Sequence, residues 1–170
     1  ILQGAIFEVV TTDVNEIPIP AVVFEEFGLP RESRNFSYKA MLYGFRHRHN
    51  HWYKDASVPD MSRLETRMWF FYVARRWIDM GLEALHLGQV EIMDDRDRDH
   101  RHWRDLMSRI RAYAKKNARR HLILIDAHVP GGGIVHEGNL MFDLHSFPSR
   151  PRSLQGQPHK AILEKGFSDA

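Results

Sequence analysis

The side chains best suited to chemistry in this chain are acids and histidines that interrupt otherwise apolar runs. Gln89 and Glu91 close the run Ala84-Leu85-His86-Leu87-Gly88-Gln89-Val90-Glu91-Ile92. Two positions apart, they share one face of an expected strand at its carboxyl end. A carboxylate there can act as general acid, base or nucleophile; a strand-ending glutamate paired to a nearby cation fits the pattern equally well. Asp126 and His128 repeat the spacing at the end of His121-Leu122-Ile123-Leu124-Ile125-Asp126-Ala127-His128. Burying an unpaired carboxylate is costly, so Asp126 needs a partner. The pair reads as a functional site or as two side chains that bond the next loop into place. Glu8, between Phe7 and Val9, is a third acid inside an apolar run.

Carboxylates on neighbouring strands suit glycoside hydrolysis, in which two of them flank the scissile bond about 5–5.5 Å apart for retention or about 6.5–9.5 Å apart for inversion. An Asp-x-His pair also suits a metal-dependent hydrolase built on Asp126, His128 and His145. Asp143 and His145 repeat the pair after an expected hairpin, where closing the hairpin is the simpler role. The tracts Arg46-His47-Arg48-His49-Asn50-His51 and 94–102 mix charges at irregular spacing, as solvated loops and helix starts do. Trp52, with Tyr53, stands outside any helical pattern and can stack on a sugar ring, whereas Trp69, Trp77 and Trp103 fall on helical core faces. The run Gly131-Gly132-Gly133 lacks a phosphate-cradling pattern, and no Gly-x-Ser-x-Gly elbow is present.

The elements that must position these groups alternate. Residues 5–10 predict a buried strand, and residues 21–27, preceded by Pro18 and Pro20 and followed by Gly28, a short helix. Residues 30–59 lose periodicity and form the main insertion. Ser62 and Glu65 have capping-box spacing, and Leu64, Met68, Phe71, Ala74, Trp77 and Ile78 then recur at helical intervals up to Gly81. Strand 84–92 follows, then a helix burying Trp103, Leu106, Ile110, Tyr113 and Ala114, then strand 121–128. A hairpin is expected around Glu137-Gly138 within 134–142, with 143–145 ending its return arm, and a surface connection over 151–170. This is the order of parallel βα units, in one domain over 1–170. A closed barrel takes eight strands and about 250 residues, so the chain is expected to be a fragment supplying part of one.

Composition narrows the partners. The 24 basic residues barely exceed the 22 acidic ones in a chain of 170, for a formal charge of +2 and a pI near 9.0. A nucleic-acid partner is therefore not expected. No apolar run approaches the roughly 20 residues that cross a bilayer, so no membrane partner is expected either. The absence of cysteine excludes disulfides and thiolate metal sites and leaves the compartment open.

Beyond these readings, Ile6-Phe7-Glu8-Val9-Val10-Thr11-Thr12, Arg34-Asn35-Phe36, Glu65-Thr66-Arg67-Met68-Trp69-Phe70, Gly88-Gln89-Val90-Glu91, Ala118-Arg119-Arg120 and Asp126-Ala127-His128-Val129-Pro130 carry a resemblance. Together they resemble uncharacterised bacterial proteins of the glycoside-hydrolase-like TIM-barrel superfamily, over most of the chain to about residue 150. The resemblance implies a partial (β/α)8 TIM-type barrel of the α/β class and a carbohydrate substrate, and it transfers no catalytic residue. The expectation is a glycosidase-like hydrolase with Glu8, Glu91 and Asp126 as catalytic carboxylates. Gln89, His128, His145 and Trp52 would bind substrate, with no cofactor and no metal. A non-catalytic carbohydrate-binding or scaffold protein is the third alternative.

Overall fold

A computed structural model describes residues 1–97, 99–129, 133–146 and 149–165. Its centre is a four-stranded parallel sheet of β1 (Gln3–Ala5), β4 (Ala84–Gln89), β5 (Leu124–His128) and β8 (Leu144–Ser146), side by side in chain order. Small antiparallel pairs surround it: β2 (Val10–Thr11) with β3 (Ala56–Ser57), β6 (Val135–His136) with β7 (Asn139–Leu140), and β9 (Ser149–Leu154) with β10 (Gln157–Lys165). The helices are α1 (Ala21–Glu26), α2 (Tyr38–Met41), α3 (Leu64–Asp79) and α4 (Arg101–Asn117). The class is mixed α/β, as expected.

Alternation along the strands sorts the two sheet faces. Leu85, Leu87, Ile125 and Ala127 are fully buried in one cluster with Met68 and Phe71 of α3 and Leu106 and Ile110 of α4. Fully burying such a side chain contributes about 1.5–3 kcal/mol. Trp103 joins the layers: its ring meets Phe70 edge-on at 5.7 Å and its indole N–H donates to the Val90 carbonyl at 3.3 Å. The helix-facing positions of α4 are those the periodicity selects, with Tyr113 only half-buried. On α3, Leu64 is exposed and Phe70 is core.

Several boundaries differ from expectation. The first sheet strand is Gln3–Ala5 rather than 5–10, and the chain beyond it peels off to pair with the insertion, so Glu8 follows a strand instead of lying within one. β4 ends at Gln89, and Glu91 begins a 3-10 turn, Glu91–Met93, because the chain bends there toward α4. The hairpin turns at Glu137-Gly138 as expected, both residues having positive φ. Residues 144–146, however, leave it and become the fourth parallel strand, tied to β5 by paired backbone bonds with the Asp143 amide and carboxylate at Ile125. The expected surface connection after 150 is an exposed antiparallel hairpin up to Lys165. Gly131 and Gly132 of the triglycine turn, Arg98 of the charged tract, Pro130 and residues 166–170 lie outside the described residues.

The capping box does not form. Arg63 is the residue before α3, and the Asp60 carboxylate accepts the Ser62 amide at 2.9 Å in place of a Ser62 cap. Glu65 is taken by a bidentate bond from Arg34 (2.7 and 3.0 Å) and by the Ser37 amide at 2.9 Å, which fastens the insertion onto α3. Both oxygens of Glu65 are thus engaged by the insertion, and the Ser62 amide goes to Asp60 instead. Accordingly, Ser62→Ala should change stability by less than about 0.5 kcal/mol, while Asp60→Ala should cost about 1 kcal/mol, both read by urea denaturation.

Candidate functional site

The site is built at the carboxyl ends of β1 and β4. β4 carries one residue more than β5 between the registered pairs His86↔Asp126 and Gln89↔His128. This β-bulge resets the alternation. Gln89, which strict alternation would send to the helix layer with Leu85 and Leu87, instead joins His86, Asp126 and His128 on the opposite face. Gly88 makes the bulge with φ of 61°. It also makes room: a Cβ at that position would lie 1.9 Å from Oε2 of Glu8. The Glu8 carboxylate occupies the space, accepting the Gln89 backbone N–H at 3.0 Å and its side-chain amide at 2.9 Å. The Trp52 indole donates to the Glu8 carbonyl at 3.1 Å, which brings the insertion to the same place. Glu8, Gln89 and His128 are buried, and Trp52 is 36% exposed.

Asp126 lies two residues before His128 on the same face and is half-buried. Its Oδ2 meets His86 Nδ1 at 2.7 Å and accepts the Gln3 amide at 3.1 Å, while its buried Oδ1 has no hydrogen-bond partner among the described residues. The partner that burial demands is therefore His86, a residue outside the sequence-derived candidates. A polar residue between Leu85 and Leu87 carried the same signal that singled out Asp126.

The remaining candidates are placed apart from this cluster. Glu91 is half-buried in the 3-10 turn and does not share a strand face with Gln89. Burial raises its pKa, partly offset by nearby His100. His145 is exposed and in register with helix-facing Ala127, so it does not share the face of Asp126 and His128. Among the described residues no three histidine, aspartate or glutamate side chains come together in a way that could hold a metal. Asp143, bonded to Ile125 and Arg111, ties β8 into the sheet.

The two charged tracts bond to each other. Asp95 takes His47 at 2.6 Å and Arg48 at 2.8 and 3.3 Å. Burial pushes its pKa up, but these bonds outweigh it and the net shift is downward. Asp94, one residue earlier, is buried beside His100, and burial raises its pKa to about 7 despite that contact. Asp97 caps α4 through the His102 amide at 2.7 Å. Neighbouring acids are thus driven to opposite protonation behaviour by their surroundings.

No family model, curated protein or solved structure matches the chain.

Two outcomes follow. Gly88→Ala places a methyl group against the Glu8 carboxylate in a left-handed backbone; it should cost more than the about 1–2 kcal/mol of that conformation alone and shift the Gln89 amide resonance in NMR spectra. The fold favours protonated Asp94, so its contribution to stability is complete below the unfolded carboxylate pKa of about 3.9 and is lost as pH rises through about 7. The urea midpoint of Asp94→Asn should fall less than that of the parent over this window.

Proposed function

We propose that the chain carries the mouth of a glycoside-hydrolase-like protein that acts on a carbohydrate at the carboxyl ends of its parallel strands. One observation carries this reading: the Glu8 carboxylate is seated at a strand end by a bulge that only glycine forms without clash, and is gripped by both amides of Gln89. Four parallel strands in chain order, with α3 and α4 packed together on one face, also support a partial (β/α)8 barrel, in which strand-end loops form the active face.

In this reading Glu8 is the carboxylate that attacks the anomeric carbon or activates water. The proton for the leaving oxygen would come from Glu91, whose pKa burial raises and which lies off the Gln89 face, in the turn that follows β4. Gln89 fixes Glu8 in one rotamer, His128 and Trp52 bind substrate, and the His86–Asp126 pair supports the floor beneath them. A second reading, carbohydrate binding without turnover, is favoured by the engagement of two of the three candidate acids: Gln89 holds Glu8, and His86 and Gln3 hold Asp126.

An aryl-glycoside panel separates the two. With turnover, Glu91→Gln should lower kcat by about 10²–10⁴-fold, more for poor leaving groups than for good ones. Because activity needs protonated Glu91, kcat should fall on the alkaline side, with its limb above the usual carboxylate range, and the variant should lose that limb. Saturable binding with no turnover of any glycoside selects the second reading.

A further inference from the structure

A cleft of about 1000 Å³ opens between the 3-10 turn Thr12–Glu16, α2 and residues 42–63. It lies at the upper end of the roughly 300–1,000 Å³ usual for ligand sites. Buried Tyr38 and Tyr43 form walls, and Asn15 and Ser37 add polar groups. Lys39, Arg46 and Arg63 supply three cations against one lining carboxylate, Asp55. Arg63 sits 3.6 Å from Asp60, whereas Lys39 and Arg46 form no ion pair among the described residues. Arg96 adds a fourth cation, its guanidinium 5.8 Å from the Tyr43 ring centroid and adjacent to Gly44.

The segment bearing these groups is held in place before any ligand arrives. Phe45, Arg46, Arg48, Asn50 and Asp55 all have φ between 51° and 63°, a conformation disfavoured for Phe45, Arg46 and Arg48 and better tolerated by Asn50 and Asp55. Such strain persists where surrounding contacts over-determine it and clusters at functional sites. Here the Ser57 hydroxyl meets the Tyr38 hydroxyl at 2.5 Å and accepts the Asn50 amide at 2.8 Å, Asn50 accepts the Asp55 amide at 2.8 Å, and Asp95 anchors His47 and Arg48. The same segment delivers Trp52 to Glu8 and presents exposed Phe45 and Tyr53, rings suited to stacking on sugars.

We propose that this cleft is a subsite for the acidic group, carboxylate or sulfate ester, of an anionic sugar chain whose neighbouring residues reach the Glu8 site. Lys39 and Arg46 bind the charge, with Arg63 and Arg96 reinforcing it, and Asn15 and the tyrosine walls contact the ring. This rests on the carbohydrate reading of the strand-end site and adds to it the charge of the substrate.

Titration calorimetry on the full chain tests it with two matched pairs: trigalacturonate against its methyl ester, and a sulfated galactose trimer against the unsulfated one. At least one acidic trimer should bind about tenfold tighter than its neutral counterpart, the pair that does so identifying the acid. The margin should shrink when salt is raised from about 0.05 M to about 0.5 M, and should vanish in Lys39→Gln/Arg46→Gln while Arg46→Lys retains it. Both positions are exposed, and circular dichroism checks that the variants fold. Equal affinity for charged and neutral trimers, or a margin that survives in the double variant, overturns the anionic subsite. Neutral-trimer binding that is lost in Glu8→Gln would then leave the carbohydrate reading standing, whereas no binding of any sugar overturns both.

Discussion

At Gly88 the backbone adopts φ of 61°, a region that crowds any side chain larger than hydrogen, and the residue inserted there turns Gln89 away from the helix layer. The Glu8 carboxylate fills the space a β-carbon would need and closes on Gln89 through two hydrogen bonds. Trp52 then docks on the Glu8 carbonyl, so the end of β1, the end of β4 and the insertion meet at one point. Without the bulge, Gln89 would point toward the helix layer, and Glu8 would have neither its donors nor its space.

Charge organises the outer half of the molecule as apolar packing organises the inner half. Arg34 joins the insertion to α3 through Glu65, and Asp95 joins it to the segment leading into α4 through His47 and Arg48. Both carboxylates are held by sequence-distant residues, so the insertion is fixed near its start and at its middle although it has little regular structure. The nearby acids differ because their surroundings do: desolvation prevails at Asp94 and Glu91, whereas at Asp95 the bonds from Arg48 and His47 together outweigh it.

The apolar periodicities of α3 and α4 made those helices legible, because helix-layer burial depends only on spacing within one segment. The same held for the Glu137-Gly138 turn and for the shared face of Asp126 and His128. Competition between segments overrides such local patterns. Ser62 and Glu65 have the right spacing for a capping box, but Arg34, 31 residues from Glu65, takes the carboxylate. Gln89 and Glu91 alternate correctly on paper, but the bulge and the 3-10 turn separate them. The link between Glu8 and Gln89 spans 81 positions, and no local pattern encodes it. His86 was within reach, since it breaks an apolar strand just as Asp126 does.

The two outer strands of the parallel sheet, Gln3–Ala5 and Leu144–Ser146, hold three residues each, so each edge offers about 10 Å of strand backbone. The exposed hairpin is longer, with a nine-residue strand, and it carries Pro151, Pro158 and Lys160. Proline removes a donor from the ladder, and lysine charges the approach. The fold thus resists strand-by-strand self-association in two ways, by brevity at the sheet and by composition at the hairpin.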